Sequence, residues 1–247
     1  MRKKLAKRIK LGLNVDHIAT LREARGTSYP NPTVAALLAE YSGCDSIVVH
    51  LREDRRHIKE HDVLSIKEAV KIPLNLEMSA NKEIVVFAKK LLPSQATLVP
   101  EKRQELTTEG GINLIANYDK VKRAVKDLKK VGIKVSLFID PVLKQVKTAK
   151  ELGADLVEIS TGRFSEINKP LPLAKEIQKI KGAVNFAKKL GLSVAAGHGL
   201  DYKNVRKIIS IEGIEELNIG HSIICRSVFT GIVAAVDEMI SLINNKK

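Results

Sequence analysis

Three phrases decide the fold of this chain: Lys130-Val-Gly-Ile-Lys-Val135, Glu151-Leu-Gly-Ala-Asp-Leu156 and Lys189-Leu-Gly-Leu-Ser-Val194. Each is the same joint. A charged helix end runs into a glycine, which can take the left-handed backbone that closes a helix, and an apolar run begins at once. Working outward, apolar runs recur at Leu11–Val15, Ser46–His50, Leu74–Glu77, Thr97–Val99, Lys134–Ile139, Leu156–Ile159, Ser193–Ala196 and Glu216–Ile219. They are rich in Val, Ile and Leu without clean polar alternation, as parallel strands covered on both faces are. Helix-like stretches separate them at Thr33–Tyr41, Asp62–Val70, Asn81–Leu91, Tyr118–Val131, Val142–Leu152, Leu171–Leu190, Tyr202–Ser210 and Ser222–Ile243. Eight strand-then-helix units in 247 residues close most simply into one (β/α)₈ TIM barrel of the α/β class. An open doubly wound sheet is the alternative, but Asn14-Val-Asp-His-Ile18 is not the glycine-rich turn such a sheet carries after its first strand. The predicted organisation is one domain over 1–247, with the first ten residues a basic extension.

Composition narrows the function classes. Hydrophobic residues make up 44% and charged residues 28%, which is globular and neither disordered nor fibrous. No window of about 18 apolar residues occurs, and the basic N-terminus leads into no apolar signal region, so no membrane contact is expected and the cytoplasm is the expected location. Cys44 and Cys225 both sit in apolar surroundings and read as buried, reduced thiols. The net charge of +14 raises nucleic-acid binding. Lysines are spread along helical stretches beside Asp and Glu, however, and aromatics for base stacking are only 4%. An ion-paired outer surface, with a field that steers anionic substrates inward, is the better reading.

In a barrel the chemistry sits where strands end and the next loops begin. The polar residues gather there: Asn14, Asp16 and His17 after the first strand; His50, Arg52, Arg55, Arg56 and His57 after the second; Glu77 at the end of the third. Four of the six histidines (His17, His50, His198 and His221) fall at strand ends. His50 and His198 can exchange protons near neutrality, and an inward Glu77 would be desolvated and poised as a base. The alternative for Glu77 is a buried partner to an Arg or Lys. Gly197-His-Gly199 and Gly220-His221 follow the last two strands, where barrels hold phosphate on backbone N–H groups and a helix N-terminus. Of Arg52, Arg55 and Arg56, one or two are expected to bind an anion and the rest to form surface ion pairs. The long polar segment Pro100 to Asn113, with Gly110-Gly111 as a hinge, reads as a lid.

A metal reading rests on His57 and His61, spaced as two ligands on a helix, with no third ligand evident nearby. Asp16 and His17, as strand neighbours, would point in opposite directions. Metal-free acid–base chemistry is expected, with no cofactor. A metal-dependent sugar-phosphate isomerase or aldolase and a basic nucleic-acid-binding protein remain the alternatives.

Taken together, these residues closely resemble the pyridoxine 5′-phosphate synthase family. The likeness runs from Leu11 to about Ile243. It rests on Asn14-Val-Asp-His-Ile-Ala-Thr-Leu-Arg-Glu-Ala-Arg-Gly26, Val49-His-Leu-Arg-Glu-Asp-Arg-Arg-His-Ile58, Asn75-Leu-Glu-Met78 and Leu98-Val-Pro-Glu-Lys-Arg-Gln-Glu105. It continues through Thr107-Thr-Glu-Gly-Gly111, Val135-Ser-Leu-Phe-Ile-Asp140, Ala196-Gly-His-Gly-Leu200 and Glu216-Leu-Asn-Ile-Gly-His221. The resemblance implies a condensation of 1-deoxy-D-xylulose 5-phosphate with 3-amino-2-oxopropyl phosphate. It implies that His50 and Glu77 accept protons, that His198 donates one, and that Glu158 supports the transition state. Asn14, Arg25, Gly199, Gly220 and His221 would hold the amino-ketone phosphate. Asp16, His17, Arg52, His57 and Thr107 would hold the deoxyxylulose phosphate. A homo-oligomer, an octamer, is also implied by the resemblance.

Overall fold

A computed structural model describes residues 8–101 and 110–244. Eight strands carry the fold: β1 (Lys10–Asn14), β2 (Ser46–His50), β3 (Leu74–Met78), β4 (Gln95–Leu98), β5 (Lys134–Ile139), β6 (Leu156–Ser160), β7 (Ser193–Gly197) and β8 (Glu216–Ile219). Every neighbour is parallel and consecutive, and β8 returns to β1 in the register Leu11↔Leu217, closing the barrel. The helices are α1 (Asp16–Glu23), α2 (Pro32–Tyr41), α3 (Glu60–Ala69), α4 (Lys82–Leu91), α5 (Tyr118–Lys129), α6 (Leu143–Glu151), α7 (Gly162–Glu166), α8 (Pro170–Lys189), α9 (Val205–Ile209), α10 (His221–Thr230) and α11 (Ile232–Asn244). The three joints form as read: Gly132, Gly153 and Gly191 take φ of +82°, +84° and +74° and turn a helix end into the next strand.

The two faces of the sheet divide the labour of packing. Leu11, Leu13, Ile47, Val49, Leu74, Leu76, Val135, Leu137 and Leu217 are buried against the surrounding helices in one continuous apolar shell. The alternate residues face the barrel axis, because side chains change face at every step along a strand. There the lining is small and polar. Thr97 Oγ1 donates to Asn75 Oδ1 at 2.8 Å, Ser46 Oγ donates to Glu216 Oε1 at 3.0 Å, and Asn218 Nδ2 donates to Glu158 Oε2 at 2.7 Å. A polar alternation is therefore present in these strands, contrary to the sequence expectation. It was hidden because Gly, Ser, Thr and Asn at the inward positions break an apolar run only weakly.

Several boundaries differ from the expectation. The first strand ends at Asn14 rather than Val15, because Asn14 Oδ1 accepts the Asp16 N–H at 2.9 Å and bends the chain into α1. Asp16 and His17 thus open a helix and are not strand neighbours. The expected helix Ser222–Ile243 is two helices, broken where Gly231 takes φ of +81°. α1 and α7 were not anticipated, and of the two cysteines expected to be buried only Cys44 is, Cys225 being exposed on α10.

Candidate active site

The site is built on the C-terminal rim of the barrel, and its first pole lies at β1 and β8. Asn14 Nδ2 donates to Asp16 Oδ2 at 2.7 Å, and Asp16 Oδ1 accepts the backbone N–H of His50 at 2.8 Å. One buried carboxylate therefore ties the ends of two adjacent strands. His17 sets its ring edge-on to that of His221, with centroids 5.0 Å apart. His221 is the first residue of α10, whose unsatisfied N–H groups and dipole favour an anion. Gly220 packs so closely that a Cβ there would lie 2.8 Å from the Cβ of Asn14. Burial holds the His17 imidazole below its ordinary titration range, with Asp16 opposing and His221 assisting. The ring is therefore neutral at neutral pH.

The second pole lies at β2 and β4. His50 Nε2 meets Glu101 Oε1 at 2.9 Å, with both side chains buried, and Glu101 Oε2 accepts the backbone N–H of Glu53 at 2.8 Å. Arg52 is buried and spreads its fork over both oxygens of Asp54, each at 3.2 Å. Arg55 bonds Glu60 and Glu83 instead, and Arg56 bonds Asp54 from a more exposed position. Only Arg52 of the three has the buried setting of an anion ligand. His57 stands 6.2 Å from the His50 ring, and its Nδ1 accepts the N–H of Ile58 at 2.7 Å, which leaves Nε2 as the outward donor. Burial lowers its titration too, against the pull of Asp16.

The two poles are clamped together. Arg22 on α1 grips both oxygens of Asp62 at 2.6 and 2.8 Å, and also donates to the carbonyl of His57 at 3.2 Å. Asp62 accepts the N–H of Lys59 at 2.9 Å. Burial alone would raise the Asp62 carboxyl, but the Arg22 guanidinium holds it below the usual carboxylate range. The spacing of His57 and His61 is not helical, because α3 begins at Glu60; His61 is exposed and pairs with Asp62 at 3.3 Å.

Between the poles stand two carboxyls. Burial pushes Glu77 well above the usual range, with Glu158 and Asp16 adding to the rise. Among the described residues, no Arg or Lys forms an ion pair with Glu77. Burial raises Glu158 to about 7, with the Asn218 hydrogen bond opposing and Glu216 adding. Two desolvated carboxyls in one field share protons rather than both ionising, which suits general acid–base work near neutral pH. His198 follows β7 with φ of +78°, its carbonyl accepting from Thr161 Oγ1 at 2.6 Å and its ring 6.4 Å from Phe138. Burial lowers its titration, against the pull of Glu166. Donor atoms of Asp16, His50 and Glu77 lie within 4.8 Å of one another, a spacing one cation could span. Both Asp16 oxygens and His50 Nε2 also bond neighbours.

Most predicted residues converge. Asn14, Asp16, His17, His50, Arg52, His57, Glu77, Glu158, His198, Gly199, Gly220 and His221 all lie on the rim or just inside it. Arg25 is exposed in the turn after α1 and makes no side-chain hydrogen bond with a described residue. Thr107 and most of the expected lid, 102–109, lie outside the described residues. Sequence reasoning missed Glu101 as the partner of His50 and Asn218 as the partner of Glu158. A polar residue in the middle of Glu216-Leu-Asn-Ile219 was the available signal for Asn218.

The match to known proteins is extensive. The family model described as pyridoxal phosphate biosynthesis protein PdxJ covers residues 11–245. A protein of Prochlorococcus marinus named pyridoxine 5'-phosphate synthase is 53% identical over 94% of this chain and 98% of its own length. One of Trichlorobacter lovleyi with the same name is 50% identical over 95% and 98%. Among solved structures, tryptophan synthase from M. tuberculosis superposes with a TM-score of 0.66 at 12% identity, covering 96% of this chain and 94% of that one, a likeness of fold alone. With a family model spanning nearly the whole chain and relatives at half identity, this chain is an enzyme of the pyridoxal phosphate biosynthesis protein PdxJ family.

Proposed function

We propose that this enzyme makes pyridoxine 5′-phosphate, with phosphate and water, from 1-deoxy-D-xylulose 5-phosphate and 3-amino-2-oxopropyl phosphate. The observation that carries the reading is the half identity, over nearly full length, to proteins named for that product. The reading is supported by a rim that carries two polar poles, with imidazoles, a buried arginine and a helix N-terminus suited to anionic groups. Asn14, His221 and the N-terminus of α10 form a helix-capped anion site around Gly220 for the amino-ketone phosphate, with Arg25 and Gly199 assigned to the same set. Asp16, His17, Arg52 and His57, with Thr107, serve the deoxyxylulose phosphate.

The amino-ketone brings its own nitrogen, so the imine forms without a lysine or an organic cofactor. What remains is proton traffic, dehydration and loss of phosphate. His50 and Glu77 take protons, His198 returns one, and Glu158 supports developing charge. A reducing cytoplasm suits the two free thiols, and no helix among the described residues is long and apolar enough to cross a membrane. A homo-oligomer is part of the same reading.

The test is to incubate chelator-treated protein with both substrates and follow the absorbance of the pyridine ring. Formation of the chromophore is expected. Its absence overturns the proposed reaction, and activity that disappears on chelation and returns with a divalent ion overturns the cofactor-free part.

A further inference from the structure

We propose that Glu101 is a positioning residue that fixes the proton of His50 on Nε2 and so leaves Nδ1 as the basic atom. The proposal rests on the reading of His50 as a proton acceptor given above. Neutral imidazole carries one N–H, and the partner of one ring nitrogen decides which nitrogen keeps a lone pair. Glu101, on the loop after β4, is an ionised acceptor only: burial would raise its carboxyl, but the hydrogen bonds from His50 and from the Glu53 N–H hold it below its ordinary value. It accepts from His50 Nε2 at 2.9 Å, while its other oxygen is pinned by the Glu53 N–H at 2.8 Å. The His50 backbone is held independently by Asp16 at 2.8 Å. Ring and backbone are thus fixed from two sides. The other charged and titratable groups around the ring are Asp16 from α1, Glu77 from β3, and Arg52 and His57 from the loop after β2.

This double pinning makes Glu101→Gln an unusual substitution. The amide has one oxygen and one NH₂, and the Glu53 N–H requires the oxygen. The NH₂ must then face His50 Nε2, which can only accept. The proton is forced onto Nδ1 and the lone pair needed for catalysis is lost. Glu101→Ala, which is worse in shape, imposes no tautomer. A role in packing alone predicts the opposite order, with the near-isosteric Gln variant the milder.

The experiment is ¹⁵N NMR of the imidazole side chains with the rings neutral, His50 being identified by its loss in His50→Asn, together with steady-state kinetics and thermal melts. Protonated Nε2 is expected in the parent and protonated Nδ1 in Glu101→Gln. The Gln variant should lose about 10²-fold in kcat with KM little changed, and fall below Glu101→Ala. A parent proton on Nδ1, an unchanged tautomer in the Gln variant, or a Gln variant more active than Ala overturns the proposal. The parent spectrum alone can do so, even if both variants fold poorly. If the parent makes no pyridine product, the proposed reaction fails, while the spectra still decide the role of Glu101.

Discussion

The two poles of the rim are made of the same residue types in different settings. At β1 and β8, two imidazoles stand edge-on in front of a helix N-terminus, and Asp16, next to His17 in the chain, is turned toward backbone and Asn14. At β2 and β4, an imidazole is bonded straight to a carboxylate, and an arginine is bonded to another. A histidine without a carboxylate partner, close to free N–H groups, can offer a hydrogen bond to an anion. A histidine with such a partner has its proton fixed and its charged form supported when it accepts a second one. What a rim histidine can do is therefore set by the partner that another part of the rim brings to its ring.

The strongest way to break the contrast is to cut the clamp between the poles. Arg22→Ala leaves the Asp62 carboxylate buried without its counter-charge, which costs about 3–5 kcal/mol. A denaturant titration reads this, and a loss under about 1 kcal/mol would show that the pair is solvated in solution. Next in size is a matched pair of substitutions. Glu77→Gln should lower kcat about 10²-fold with little change in KM, whereas His221→Ala should raise KM for the amino-ketone phosphate about tenfold and spare kcat. Kinetics of the two variants side by side would erase the distinction if both changed the same parameter. A pH-dependent effect concerns Glu158, raised from 4.5 to about 7 in the folded chain. The folded state holds this proton longer than the unfolded one, so stability falls as pH rises from about 4.5 to about 7, by at most about 1.4 kcal/mol per pH unit. Glu158→Gln should flatten that slope in melts across the window; an identical slope in parent and variant removes Glu158 as its source.

Much of this was legible in the residue order. β2, β5 and β8 have the expected bounds, and the three glycine joints lie where the repeated phrase put them. Those signals are local: a strand and its turn are written within a few consecutive residues. The rim histidines were legible for the same reason, as polar residues interrupting apolar ends. The pairings were not. His50 meets Glu101 across 51 positions and Glu158 meets Asn218 across 60, and only closure of the barrel brings them together. α1 escaped notice because its start depends on where the Asn14 amide points, which periodicity does not report. Arg25 belongs to the family pattern, yet its exposed place after α1 could not be read from its neighbours.

The polar lumen has a consequence for how such a barrel can change over time. Its greasy mass lies outside the sheet, in the shell between strands and helices, so the axis bears little of the burden of folding. Substitutions such as Thr97→Ser or Ser136→Ala alter few contacts with that shell, while Leu76→Ala would open a hole in it, at about 2–5 kcal/mol. Lineages are thus free to redraw the interior surface beneath the substrates, one hydroxyl or amide at a time, on a scaffold whose integrity is guaranteed from without. Gly12 marks the boundary of that freedom, since a Cβ there would strike Ser46 Oγ at 2.7 Å.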